Sequence, residues 1–253
     1  MGNLTGSVNK TYDGTNTATL AAGNYLLSGW VGSEGATVTQ TSGTYDNANA
    51  GSGKTVTVSL ANSDYNANTG TNLGNYNLPT SISGAVGSIA KAPLTVTANN
   101  ASKTYGDANP AFTGTLSGFV GGQSLAGSGV TGTAAISTTA TASTGVGSAL
   151  ITAGAGTLAA SNYDFTTLVD GSLTINRRPI GVAADAKGKV VGSADPALTY
   201  TVAADGVGAS RGLVNGDSLS GALGRAVGEA VGGYAINQGT VTDGNNPNYQ
   251  IAY

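Results

Sequence analysis

The residues with the most direct claim to chemistry are Ala48-Asn49-Ala50-Gly51-Ser52-Gly53-Lys54-Thr55, a loose form of a phosphate-binding loop with Ala in place of the first Gly. Such a loop works only when a helix follows it, so that backbone N–H groups at the helix N-terminus face the phosphates. Here Val56-Thr57-Val58-Ser59-Leu60 follows, and its alternation predicts a strand. The octet is therefore expected to be a hairpin turn with an exposed Lys54. Gly127-Ser128-Gly129-Val130-Thr131-Gly132 fits a dinucleotide fingerprint by spacing, but no strand–helix–strand pattern surrounds it, and a glycine-rich loop is the expectation. Asp64, Asn66 and Asn68 space their oxygens as a calcium loop does. Gly70 falls one place late and the twelfth position is Asn75 rather than Glu, which leaves a weak metal candidate beside the alternative of an Asx-turn.

Asp13, Asp107, Asp195 and Asp243 fall in turn-forming contexts, where Asp commonly caps its own backbone. Asn3, Asn9 and Asn100 lie in N-x-S/T sequons, which arise by chance in a chain so rich in Thr and Asn. The sequence contains no Cys and no His. That removes Cys/His zinc sites, thiol nucleophiles and His-based triads together. No catalytic residue and no cofactor is expected.

The elements that position these residues repeat. Gly29-Trp30-Val31-Gly32, Gly118-Phe119-Val120-Gly121 and Gly212-Leu213-Val214-Asn215 are copies of one string. The prolines of Asn109-Pro110 and Asp195-Pro196 are 196 − 110 = 86 residues apart, and the Asn-Tyr pairs at 75/76, 162/163 and 248/249 are separated by 87 and 86. A period this long is a domain rather than a solenoid coil. The boundaries implied are 1–91, 92–177 and 178–253. The alternation of Leu94-Thr95-Val96-Thr97 and Ser172-Leu173-Thr174-Ile175, with Gly/Asn/Asp turns between such runs, predicts an all-β fold of three tandem domains with little helix. Strands are expected at 4–8, 18–20, 56–60, 75–78, 87–89, 149–152, 162–165 and 172–175. The Gly-x-Val string is the one place where a short helical turn is expected, capped by Asn215 or Asp217. The extra residues near 203–210 are expected to form a loop.

The net charge is −3, with ten basic residues that are scattered. This argues against nucleic acid, which needs clustered Lys and Arg. Arg177-Arg178 is read as a solvated joint. No apolar run is long enough to span a bilayer, so this segment is not expected to insert into a membrane. The start, MGNLTGSVNK, lacks a signal-peptide pattern, and a piece of a longer exported precursor is the expectation. Tyr12, Trp30, Tyr76, Phe112, Phe119, Tyr163 and Tyr249 recur at equivalent places. That favours core packing over a carbohydrate-stacking platform. Tyr76, Tyr163 and Tyr249 are each expected to be buried with the hydroxyl hydrogen-bonded.

The strings KTYDGT at 10–15 and KTYGDANPAFTGTLSGFVGGQSL at 103–125, followed by NYDF and DGSLTI, resemble the YDG and mostly β-grasp (MBG) repeats of filamentous-haemagglutinin-like exoproteins, large bacterial adhesins exported by two-partner secretion. The first unit resembles YDG and the other two resemble MBG, although Val190-Val191 replaces Thr104-Tyr105 in the third. The resemblance implies β-grasp-related domains in a secreted or cell-surface stalk. Its partners would be an exopolysaccharide or a host or bacterial surface, met through the parent protein. The alternative is a carbohydrate- or protein-binding module acting through loops or an open sheet edge. After Tyr163 the second unit runs 175 − 163 = 12 residues to the end of its closing alternation, whereas 253 − 249 = 4 residues follow Tyr249. The third unit is therefore expected to lack its last strand; in the β-grasp arrangement that the resemblance implies, that strand lies beside the first one, so its loss would leave Pro179 to Ala183 unpaired and prone to strand-edge self-association. The short Pro-bearing joints at Lys91-Ala92-Pro93 and Arg177-Arg178-Pro179 predict a rod.

Overall fold

The computed structural model describes residues 1–253 and is all-β, with 21 strands and three single-turn 3₁₀ segments. The period-two pattern does what it predicts. Along Gly51–Ser59 the buried residues are Lys54, Val56 and Val58, with exposed neighbours between them, because successive side chains of a strand point to opposite faces. By contacts the chain forms two compact units.

The first unit comprises 1–97, 115–135 and 154–169. Its five-stranded sheet has the order Val8–Thr11, Ser81–Ala90, Gly51–Ser59, Ser42–Tyr45, Thr17–Thr19. The first pair is parallel and the others are antiparallel. Its three-stranded sheet places Ala92–Ala98 between Gly114–Ser117 and Tyr163–Val169, the latter parallel to it. The core gathers Leu4, Val8, Tyr12, Val56, Val58, Ile82, Ile89, Leu94 and Tyr163. Gly87 is required by a close approach. A Cβ there would stand 2.7 Å from the Tyr45 ring, whose hydroxyl donates to the Val8 carbonyl at 2.9 Å.

The second unit comprises 98–114, 136–153 and 170–253. One sheet has the order Ala101–Thr104, Gly171–Asn176, Gly147–Gly154, Ala135–Ser137. Gly171–Asn176 runs parallel to the first of these and antiparallel to the third. Another sets Arg178–Ala184 between Tyr200–Val202 and Tyr249–Ala252, and Gly224–Arg225 pairs with Ile236–Asn237. The core holds Tyr105, Ile151, Leu173, Ile175, Ile180, Val182, Val241 and Tyr249.

Several expectations are corrected here. The backbone of Pro179 to Ala183 is not unpaired, since it bonds on one side to Tyr249–Ala252 and on the other to Tyr200–Val202. Pro93 and Pro179 are each the second residue of a strand, and at Pro93 the register shifts, an irregularity at which proline is tolerated. No strand runs through 75–78. Leu73–Asn75 forms a 3₁₀ turn capped by the Asn72 side chain, which accepts from Gly74 N–H at 3.0 Å. Lys54 is not the exposed tip of a hairpin. It lies inside a strand with its ammonium on Asp46 at 2.9 Å and Asn47 at 2.7 Å. With no helix after it, the octet at 48–55 offers no phosphate cradle. The 203–210 segment is a loop, as expected.

Candidate functional site: a recurring tyrosine lock

The Gly-x-Val string is a β-turn, not a helical one. Glu34 N–H donates to the Val31 carbonyl at 3.1 Å, Gln123 to Val120 at 3.1 Å and Asp217 to Val214 at 3.0 Å. The left-handed positions differ among the copies. Of the two central turn residues, Gly32 has φ 59° in the first copy, Gly121 and Gly122 have φ 61° and 71° in the second, and only Gly216 is positive in the third, at 92°. One i→i+3 bond is thus closed by three turn conformations, each needing glycine where φ is positive. This is why the central residues read Gly-Ser, Gly-Gly and Asn-Gly.

Each turn grips a tyrosine. The backbone N–H of Val31 donates to the hydroxyl of Tyr76 at 3.2 Å, that of Val120 to Tyr163 at 3.2 Å, and that of Val214 to Tyr249 at 3.1 Å. The hydroxyl in turn donates to the residue closing the turn, Glu34, Gln123 and Asp217 respectively. Tyr163 and Tyr249 are buried as expected, but Tyr76 is only half-buried, with the Trp30 ring edge-on at 4.6 Å.

In the second and third copies a further tyrosine joins, from the Lys-Thr-Tyr segment of the preceding repeat. Gln123 Nε2 donates to the Tyr12 hydroxyl at 3.0 Å, and the Tyr12 ring meets Tyr163 edge-on at 5.4 Å. Tyr105 donates to Asp217 Oδ2 at 2.9 Å and meets Tyr249 edge-on at 5.6 Å. The T-shaped geometry sets the positive edge of one ring against the negative face of the other. Gln123 both donates and accepts, so Tyr12 accepts from it. Asp217 accepts only, so both of its tyrosines donate. Sequence reasoning found the turn and the tyrosines separately and missed the residue that joins them. Its signal was the fixed spacing Val-x-x-Glu/Gln/Asp.

Burial, and next the hydrogen bond to Asp217, push the Tyr249 phenol well above the usual tyrosine range, and the same two causes raise Tyr105. The hydrogen bond to Glu34 is the chief cause raising Tyr76. A phenol whose folded pKa is raised contributes stability that is present below the unfolded value and lost as pH climbs toward the folded one. In an alkaline absorbance titration, Tyr249 and Tyr105 are expected to stay protonated past about pH 10, where free tyrosine ionises. Tyr249→Phe should remove part of that late component. A single wave near pH 10 for every tyrosine would contradict the lock.

The remaining candidates do not converge on a reactive centre. Asp64 closes its own 3₁₀ turn, accepting from Ala61 N–H at 2.7 Å. Asn66 lies in the extended strand Tyr65–Ala67, and Asn68 bonds through its N–H to the Gly35 carbonyl at 2.9 Å. Extended backbone spreads alternate side chains about 7 Å apart instead of wrapping them round one ion. Of the four turn aspartates, Asp13 does cap its turn, accepting from Thr15 N–H at 2.8 Å. Asp243 accepts from Ile251 N–H at 2.8 Å and pairs with Arg177 at 3.3 Å. Asp107 and Asp195 are instead centres of ion pairs. Arg178 is not solvated, because its guanidinium reaches Asp107, the Gly212 carbonyl at 2.8 Å and the Arg211 carbonyl.

Comparison with family models matches residues 3–84 to the YDG domain, and residues 94–174 and 180–253 to the MBG domain (YGX type). No curated protein and no solved structure matches the chain.

Proposed function

We propose that this chain, which belongs to the YDG and MBG families of repeat domains, serves as a non-catalytic spacer within a large secreted bacterial adhesin, carrying a distal adhesive region away from the cell surface or into a biofilm matrix. One observation carries the reading. The tyrosine lock occurs twice, each time tying a Lys-Thr-Tyr segment to the turn of the repeat that follows. Buried edge-to-face rings and paired hydroxyls resist bending at a joint, which suits a load-bearing series of repeats, and they leave the phenols too committed to act as nucleophiles. Small-angle scattering of the whole chain tests it. An elongated particle is expected, and a compact globule overturns the spacer reading.

The alternative, a glycan-binding module, draws on Trp30 and Tyr76, an aromatic pair that is only half-buried. A glycan array probed with the chain and with Trp30→Ala separates the two readings, since a spacer gives no Trp30-dependent signal.

A further inference from the structure

The second repeat has two sheets, and they bury their apolar faces in different cores. Its opening sheet, Ala92–Ala98 with Gly114–Ser117 and Tyr163–Val169, places Leu94 and Tyr163 in one core with Val8, Val56 and Ile89 of the first repeat. Its closing sheet, with Gly147–Gly154 and Gly171–Asn176, places Ile151, Leu173 and Ile175 in another core with Ile180, Val182 and Tyr249 of the third. Val96 aside, every buried apolar residue of the second repeat belongs to one of these two cores. Only 173 − 163 = 10 residues separate Tyr163 from Leu173, yet they serve different cores. A sheet with one apolar face must cover it with a second layer, and in both cases that layer comes from the adjacent repeat.

Polar bonds join neighbouring repeats at equivalent places. Asn162 and Asn248, which precede the lock tyrosines, are 248 − 162 = 86 residues apart. Asn162 Oδ1 accepts from the Ala50 N–H and Asn248 Oδ1 from the Val146 N–H, both at 2.9 Å. Ala50 and Val146 each stand immediately before a long strand of the preceding repeat, Gly51–Ser59 and Gly147–Gly154. The backbone carbonyl of each asparagine accepts from the start of its own opening sheet, Ala92 N–H and Arg178 N–H, again at 2.9 Å. One residue thus fixes the first strand of one repeat against the longest hairpin arm of the other. Asn162 Nδ2 adds a bond to Asn49 Oδ1 at 3.1 Å.

We infer that the cooperative folding unit of this chain is the joint, made of the closing sheet of one repeat and the opening sheet of the next, and that Asn162 and Asn248 set the register in which the two sheets dock. The repeat is the unit of sequence, and the joint is the unit of stability. Local unfolding follows shared burial rather than chain order, so each half of the second repeat opens with its neighbour and not with its other half. The folding partner of an MBG repeat is therefore the closing sheet of the repeat before it. The inference holds for a spacer and for a glycan-binding module alike.

Native-state hydrogen exchange on the full chain tests it. Val58→Ala, in the first repeat, should speed the slowest amides of Ala92–Ala98 and Tyr163–Val169 by about thirtyfold, as it does those of Gly51–Ser59, and leave Gly147–Gly154 and Gly171–Asn176 unchanged. Val182→Ala, in the third, should do the reverse, speeding Gly147–Gly154 and Gly171–Asn176 while sparing Ala92–Ala98. Should either alanine variant fail to fold, Ile89→Val and Ile180→Val are expected to give the same pattern at about fivefold. Asn162→Ala should speed Gly51–Ser59 together with Tyr163–Val169, again by about fivefold, whereas a local role would confine the effect to Tyr163–Val169. The inference is overturned if the two sheets of the second repeat respond alike to either core substitution, or if Asn162→Ala leaves Gly51–Ser59 unchanged. Scattering tests the spacer reading separately, so either can fail without the other.

Discussion

Tyr163→Ala is expected to lower the unfolding free energy of the first compact unit by about 4 kcal/mol. The ring is 1% exposed, with Tyr12 edge-on at 5.4 Å and Phe119 at 5.7 Å. Truncation opens a cavity between the Tyr12 and Phe119 rings. It also strands the Val120 N–H and the side-chain oxygen of Gln123, both on half-buried residues where water can offset part of the loss. Tyr163→Phe keeps the packing and loses only the hydroxyl's two bonds, so about 1.5 kcal/mol is expected. Trp30 is the only tryptophan and belongs to this unit, so its emission during denaturant unfolding reports that unit alone. Pairing Tyr163→Phe with Tyr12→Phe should show coupling of about 0.5 kcal/mol or more through Gln123. A loss below about 1 kcal/mol for Tyr163→Ala would mean that the lock is ornamental.

How much of this was legible depends on the range of the interaction. The burial of Tyr163 and Tyr249 followed from their recurrence, because a small β domain must bury its large side chains. Alternation gave the strands and their inward faces, including Lys54, which falls in phase with Val56 and Val58. Reading Lys54 as exposed gave lysine's usual preference for water more weight than the phase of its strand. Alternation says which face a residue takes and nothing about which strand lies beside it. The parallel pairing of Ala92–Ala98 with Tyr163–Val169, and the partners of Arg178–Ala184, were therefore hidden. The Tyr105–Asp217 bond spans 112 residues, beyond any local pattern. The turn at Val120 was mistaken for a helical one because Gly-Gly forbids neither, and only the left-handed φ values decide.

The misreading of Arg178 leads to the second large effect. Asp107→Ala should destabilise the second compact unit by about 2 kcal/mol at neutral pH. The Arg211 guanidinium grips both carboxylate oxygens, at 2.8 and 3.0 Å. Arg178 reaches one of them at 3.2 Å and is itself only 11% exposed. Removing the carboxylate leaves that buried cation with carbonyl partners alone. The expected loss lies at the low end for broken ion pairs because Asp107 keeps 32% exposure and water can partly replace it. The hydrogen bond from Arg211, followed by the charges of Arg211 and Arg178, holds the Asp107 carboxyl below the usual range despite its partial burial. A depressed folded pKa makes this contribution present above the unfolded value of about 3.9 and lost as pH falls through the folded one. The gap between the native chain and Asp107→Ala should therefore be wide near pH 7 and narrow near pH 2, with Asp107→Asn between them and nearly independent of pH. Urea series that follow amide resonances of Leu173 and Val182 at the two pH values measure it. An equal gap at both would assign the loss to packing and remove the charge from the account, while no gap at pH 7 would show that the carbonyls of Tyr105, Arg211 and Gly212 suffice to hold Arg178.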